Sequence, residues 1–365
     1  MASDIDLRAL SEVSGPERAF LSVYLSGPRS RTSLNGVLHR MRRALTGSDA
    51  ALNEREHFDE NVTLIEKHLE DHPLKSGALC LFSCWALDFF QAIPLEASVE
   101  DLVWIDSSPY IRPLAELQDE YETAAVVVAD NKKARIFLVS TTISDTEDVV
   151  KGNVKNHVRK GGWSQQRYER RRHKELLLYA REIVDALSEL MKKQSVTRIL
   201  LVGGKEILRV VHENLPQQLL SITVEKAVHL GKGEGAVNED IMELFFEGER
   251  RSEEDLWEQI RRNYLRGGLG TVGLEDVLAA AREGRIDTMI VSRTFKPVGR
   301  RCRECDHLDV GQVEACSACG ATSLYEIDVV NELVEMLEKT GASVDFADPI
   351  PALTEVGEIA ALLRY

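Results

Sequence analysis

The chain has 365 residues, 44% of them hydrophobic and 29% charged, and 60 acidic side chains against 45 basic ones give a formal net charge of −15. This is an ordinary globular composition and excludes collagen-like, disordered and disulfide-scaffold classes. The length suits two or three domains, each able to bury a core. The first twenty residues carry acids where a secretory leader needs positive charge and then an apolar run. The most apolar stretch, 77–90, contains Ser83 and Asp88 and is too short to span a bilayer. We therefore expect a cytoplasmic protein with no membrane segment.

Taken in chain order, residues 1–118 combine a basic helical stretch (34–45), an acidic helix (53–70) and an apolar strand (78–85). Pro94, Pro109 and Pro113 then punctuate a polar passage, and a new pattern begins at about 119. Two β-rich runs, 124–129 and 134–139, joined by Asp130-Asn131-Lys132-Lys133, predict a hairpin. After a polar stretch the chain turns helical from Ser164, with Leu176, Ala180, Ile183, Leu187 and Leu190 recurring at helical steps. A buried-type strand (198–202), a Gly203-Gly204 turn, a helix (206–213) and a strand (221–225) complete an α/β pattern ending near 226. The last third predicts helices at 240–247, 253–266, 274–283 and 328–339, and strands at 288–292, 343–346 and 359–363.

Two segments carry chemistry. Lys151–Lys174 holds nine Lys or Arg residues and one acid, Glu169, so its local charge is +8 while the rest of the chain carries −23. A localised basic segment in so acidic a protein reads as an anion site. Arg167, Arg170 and Arg171 fall in the opening turns of the predicted helix, where the macrodipole disfavours cations by roughly 0.3–1 kcal/mol each. Phosphates at that helix end would reverse the sign of this cost. The alternative is a solvated helix face, but Gly161-Gly162-Trp163 stands directly before it. Paired glycines let a backbone approach a ligand closely, and 161–165 is expected at the tip of an exposed loop. Gln165 and Gln166 are neutral, yet an amide can donate to a developing oxyanion and accept from a water, a role worth on the order of 10²–10³ in rate when preorganised.

The second segment is Cys302-x-x-Cys305, ten residues, then Cys316-x-x-Cys319-Gly320. Four thiolates at this spacing predict a closed tetrahedral Zn²⁺ ribbon with a structural role, and His307 is the rival ligand nearby. Other signals carry less. Gly268-x-Gly270-x-x-Gly273 matches the dinucleotide fingerprint in letters, but a helix precedes it where a strand is required. His68 and His72 read as a surface pair, and Cys80 and Cys84 as core residues.

The order of hairpin, KNHVRKGGWSQQRYERRR loop and helix resembles the central domain of the class-1 peptide release factors of eukaryotes and archaea. In that family a Gly-Gly-Gln loop enters the ribosomal peptidyl transferase centre. The segment EIDVVNELVEMLEKTGASVDFADPI and the closing EIAALLRY are similar to the end of the family's third domain, which a cysteine-bearing subdomain interrupts. The resemblance runs from about 121 to 365, and over the first 118 residues it is positional only. Gly161 and Gly162 match the loop glycines, Ser164, Arg167 and Arg170 match later positions, and Trp163 takes the place of the family glutamine. Gly162-Trp163-Ser164-Gln165 looks like the Gly-x-x-Gln form carried by the bacterial and archaeal release-factor-like group (baeRF) and the related Vms-type tRNA hydrolases. The stop-codon-reading Asn-Ile-Lys-Ser and Tyr-x-Cys-x-x-x-Phe motifs are absent, and the corresponding stretch reads SRTSLNGVLHRMRRAL.

The resemblance implies a mixed α/β, three-domain protein: a recognition-type domain (1–118), a catalytic-type α/β domain (119–226), and a C-terminal α/β domain (227–365) with the zinc ribbon at about 298–325. It implies hydrolysis of the peptidyl-tRNA ester in stop-codon-independent ribosome rescue. The partners would be the large ribosomal subunit and peptidyl-tRNA, with a GTPase or ATPase as a further candidate. Gly161 and Gly162 would let the loop enter a narrow RNA cavity. Gln165, with Gln166 as the alternative, would position the attacking water. Lys155, Arg159, Lys160, Trp163, Arg167, Arg170, Arg171 and Arg172 would contact RNA. The competing readings are a non-catalytic Pelota-like factor that recognises and splits stalled ribosomes, and a Vms-type factor that cleaves the tRNA.

Overall fold

A computed structural model of the chain describes residues 5–16, 18–46, 52–95, 98–120, 124–139, 143–151, 163–193, 196–228 and 234–365, with 46, 52, 120, 139, 143–151, 163–169, 193, 234–242, 244–246 and 249 described by backbone alone. In chain order the N-terminal elements are α1 (Leu7–Ser11), β1 (Phe20–Leu25), α2 (Ser30–Thr46), α3 (Leu52–Asp71), β2 (Ala78–Cys84), β3 (Phe89–Leu95), β4 (Leu102–Asp106) and α4 (Arg112–Glu120). The central elements are β5 (Ala124–Ala129), β6 (Lys133–Val139), β7 (Ile143–Lys151), α5 (Trp163–Lys193), β8 (Arg198–Gly203), α6 (Lys205–Asn214), α7 (Gln217–Leu220), β9 (Thr223–Ala227) and α8 (Glu234–Leu265). The chain closes with β10 (Gly270–Val272), α9 (Leu274–Arg282), β11 (Ile286–Ser292), β12 (Val298–Cys302), β13 (Leu308–Val310), β14 (Leu324–Asp328), α10 (Val329–Thr340), β15 (Ser343–Ala347), α11 (Pro351–Thr354) and β16 (Ile359–Leu363).

The fold is mixed α/β with several sheets, and it divides into two compact units: residues 1–119 with 256–365, and residues 120–255. The sequence reading separates 1–118 from 227–365. The structure instead joins the two ends of the chain in one unit, because they share a core.

In that first unit β1 is central in the antiparallel sheet β3-β2-β1-β4 and buried along its whole length. Its alternation serves two cores. Leu21, Val23 and Leu25 face Leu34, Leu38, Phe58, Val62 and Ile65 of α2 and α3. Tyr24 on the other face packs in one cluster with Ile111 and Leu114 and with Val330, Leu333 and Leu337 of α10. Two of the three prolines read as punctuation sit inside elements that tolerate them: Pro94 is in β3, an edge strand, and Pro113 is in the first turn of α4, while Pro109 lies in the connection between β4 and α4. The C-terminal sheet, β10-β16-β11-β15, is antiparallel except for the β11–β15 pair.

The second unit is built on the sheet β7-β6-β5-β8-β9. The predicted hairpin forms, and Asp130 Oδ1 accepts from the amides of Lys132 (2.6 Å) and Lys133 (2.7 Å) to hold the turn. β5 and β8 pair in parallel and are apolar on both faces, as a strand covered twice must be. Leu176, Ala180, Ile183, Leu187 and Leu190 of α5 are all buried on one face of this sheet. Gly203 ends β8 at φ +149°, where a Cβ would lie 1.9 Å from the Ala129 carbonyl oxygen, so only glycine fits.

Two expectations change. The helices expected at 240–247 and 253–266 are one helix, α8, because Gly248 continues it: it is buried, and a Cβ there would meet Arg198 Cδ at 3.2 Å. The polar run expected after 139 contains β7, which pairs with β6 and extends the hairpin sheet outwards. Among the described residues no helix is long and apolar enough to cross a membrane.

Candidate functional site

Two places in the chain match the residues singled out above. The first is the start of α5. Lys155, Arg159, Lys160, Gly161 and Gly162 lie outside the described residues. The backbone of Trp163, Ser164 and Gln165 is helical, so these residues open α5 and are not the tip of a loop as the sequence reading had it. Gln166 and Arg167 continue the same turns, and the side chains of 163–169 lie outside the described residues. The first four amides of a helix have no partner within it, and the dipole is positive there. No acid occurs in the first turn of α5. Both glutamines thus stand at an electropositive helix end.

The arginines that follow divide by environment. Arg170 is exposed. Arg171 is exposed and pairs with Glu175 one turn on, Nε to Oε1 at 3.1 Å. Arg172 points inward: Nη1 donates to Glu206 Oε1 at 2.6 Å and Nη2 to Glu206 Oε2. Glu206 lies in the first turn of α6, where an acid complements the dipole, and it also accepts from Asn131 Nδ2 at 3.5 Å. Arg172 therefore ties α5 to α6 and to the β5–β6 turn. Further along α5, Tyr179 is buried, and that burial, then the nearby Asp130, pushes its phenol pKa up.

The second place is the cysteine cluster. Cys302 ends β12 and the four thiols converge, with every pair of Sγ atoms within 4.8 Å. Cys302 and Cys319 are 3.5 Å apart and Cys305 and Cys316 3.6 Å apart. A tetrahedral ion with metal–sulfur distances of about 2.3 Å would set sulfurs about 3.8 Å apart. The four residues can therefore bind a metal such as zinc. Two backbone turns bring them together: Asp306 at φ 59° after the first pair and Gly320 at φ 74° after the second. His307 is outside the cluster and faces Asp309, Nε2 to Oδ1 at 3.6 Å. A four-thiolate set leaves no open position, so the site is suited to structure and not to catalysis.

The structure also shows a polar network that sequence reasoning missed. Arg112, 2% exposed, donates to Asp328 Oδ2 at 3.0 Å, to Glu116 at 2.7 Å and to the Phe295 carbonyl at 3.0 Å. Asn331 Oδ1 accepts from the amides of Ile111 (2.9 Å) and Arg112 (3.0 Å). Arg301 pairs with Glu332, Arg303 with Glu54, and Ser108 Oγ donates to Glu335 at 2.7 Å. Burial outweighs the neighbouring Arg301 and raises the Glu332 carboxyl to about 7, and burial also raises Glu335 and Asp106. No local pattern marks these partners, which lie 219 and 249 positions apart in the Arg112–Asn331 and Arg303–Glu54 pairs.

Comparison with known proteins finds similar chains. Residues 109–245 match the family model described as bacterial archaeo-eukaryotic release factor family 10. A peptide chain release factor subunit 1 of Archaeoglobus fulgidus is 25% identical, over 98% of this chain and 90% of its own length. Its counterpart in Thermococcus onnurineus is 24% identical, over 77% of this chain and 74% of its own. Among solved structures, a translation termination-like factor of S. cerevisiae aligns at 13% identity and a TM-score of 0.43, over 82% of this chain and 76% of its own. The chain is thus similar to release factors and to release-factor-like proteins.

Proposed function

We propose that this release-factor-like chain binds the large ribosomal subunit and promotes hydrolysis of the peptidyl-tRNA ester, independently of a stop codon. The observation that carries the reading is the start of α5: Gln165 and Gln166 in the opening turns of a 31-residue helix, inside the segment that matches the release-factor family model. Among the described residues the site offers a helix end and cations but no nucleophile–base pair, as expected if RNA completes it.

In this reading Gly161 and Gly162 allow the backbone ahead of α5 to pass close to RNA. The carboxamide of Gln165 accepts from the attacking water and donates to the oxyanion that forms as the ester carbonyl becomes tetrahedral. Lys155, Arg159, Lys160, Arg167, Arg170 and Arg171 hold phosphates, and Trp163 stacks on a base. Arg172 acts one step removed, by fixing the helix against Glu206. The four cysteines hold Zn²⁺, which supplies folding energy to the ribbon. A GTPase or ATPase is a further candidate partner.

The test is release of a labelled nascent peptide from purified ribosome complexes, comparing wild type with Gln165→Ala and Gln166→Ala. We expect release to fall by on the order of 10²–10³ with Gln165→Ala and to persist with Gln166→Ala. Co-sedimentation of wild type with ribosomes without release would replace this reading by the non-catalytic, Pelota-like one.

A further inference from the structure

The cysteine ribbon does more than fold itself. Arg303 lies inside the Cys302–Cys305 knuckle, and its amide donates to the Ser323 carbonyl at 3.0 Å. Its guanidinium leaves the ribbon, passes 5.1 Å from the centre of the Tyr325 ring, and pairs with Glu54 of α3. Glu54 is 1% exposed; its Oε1 takes the Arg303 bond, and among the described residues its Oε2 has no hydrogen-bond partner. On the other side of Cys302, Arg301 pairs with Glu332 of α10 and with Asp306 Oδ1 at 3.0 Å. The residues flanking one thiolate therefore address buried carboxylates from both ends of the chain.

Among the polar contacts between the two ends, two groups stand out. One surrounds Asp328, where Arg112, Tyr110 and Asn331 make their bonds without any ribbon residue. The other runs through the ribbon, and beside it lies a cavity of about 480 Å³ lined by Ser107, Arg301, Arg303, Tyr325, Glu332 and Glu335. α3 meets its own sheet through Phe58, Val62 and Ile65, and Glu54, near its start, meets the C-terminal half through Arg303.

We propose that the ribbon is a metal-dependent latch: a bound ion holds the Cys302–Cys305 knuckle in the shape that delivers Arg303 to Glu54, and so fastens α3 to the C-terminal half of the unit. The proposal rests on the four-thiolate reading of the cysteines and is independent of ribosomal activity. When the ion leaves, four thiolates take up protons and the knuckle loses its anchor. Arg303 withdraws, and Glu54 remains a buried carboxylate without a counterion, which drives α3 to open towards water.

Hydrogen exchange on the full chain tests this, with zinc as the metal and its content measured in parallel. Removing zinc by chelation should raise exchange in 298–325 and, on the order of 100-fold, in 52–71, and should leave 110–116 and the 120–255 unit protected. Adding zinc back should restore protection. Arg303→Gln should open 52–71 to a similar extent while retaining stoichiometric zinc, which separates the latch from ribbon folding. Protection of 52–71 that survives both zinc removal and Arg303→Gln would overturn the latch. Protein that never retains zinc would overturn the metal reading, and the Arg303→Gln arm would then report on the pair alone, an unprotected α3 retaining the fastening role and a protected one ending it.

Discussion

The two compact units solve burial differently. Among the described residues, every buried polar or charged side chain lies in the unit formed by residues 1–119 and 256–365, including Glu54, Asn61, Asp106, Arg112, Asn331, Glu332 and Glu335. None lies in 120–255, whose core is chiefly Ala, Val, Leu and Ile from β5, β6, β8, α5 and α6, with Phe137 and Tyr179. An apolar sandwich needs only the right period and volume, and it makes a rigid platform from which a charged helix end can project. The other unit must bring together segments more than two hundred residues apart. Buried ion pairs add little net stability but penalise wrong pairings heavily, so they specify which surfaces meet.

The contrast can be broken by mutation. Arg112→Met should destabilise the first unit most, by about 3–5 kcal/mol, because it strands Asp328 and removes a donor from the Phe295 carbonyl. Urea unfolding followed by hydrogen exchange would show the loss confined to that unit. Ile183→Ala, on the fully buried face of α5, should cost the second unit about 2–4 kcal/mol by leaving a cavity, with the first unit unchanged. If either substitution lowered both units equally, the division into two cooperative units would fail.

Acidity should separate the units too. Burial raises the Glu332 carboxyl from 4.5 to about 7 and raises Glu335 and Asp106 in the same direction. Between those pH values the folded unit keeps protons that the unfolded chain has released, so its stability is full below 4.5 and falls as pH rises through 7. Unfolding midpoints across pH 4.5–7.5 check the sign; a rise with pH would contradict it. The smallest effect belongs to Arg172→Ala. Its partner Glu206 is 44% exposed, so stability should drop by less than about 1 kcal/mol. A larger loss would mean the pair is a keystone of the second unit and not a tether of α5.

The second unit was the more legible one. Its hairpin, the strands β5, β6, β8 and β9 and the four- and three-residue steps of α5 follow from period, because its core is apolar throughout, whereas the polar β7 does not. Of the first unit's strands, β2, β11, β15 and β16 were readable and others escaped. β1 is buried on both faces and shows no apolar–polar alternation, and β3 hides its identity behind Pro94. α8 was divided at Gly248, whose helical place depends on packing against Arg198. The cysteine cluster was readable because metal geometry constrains ligand spacing directly. The pairs Arg303–Glu54 and Arg112–Asp328 were not, because nothing local in a sequence announces a partner at such distance. At α5 the motif located the helix end, and the backbone moved Trp163–Gln165 from a loop into its first turn.

The most direct test of the account is the product formed on ribosomes stalled on a truncated message with an empty A site. The account predicts a released peptide with a free carboxyl end and a tRNA with an intact 3′ terminus. Peptide that stays attached, or that leaves carrying nucleotides from a shortened tRNA, would contradict it.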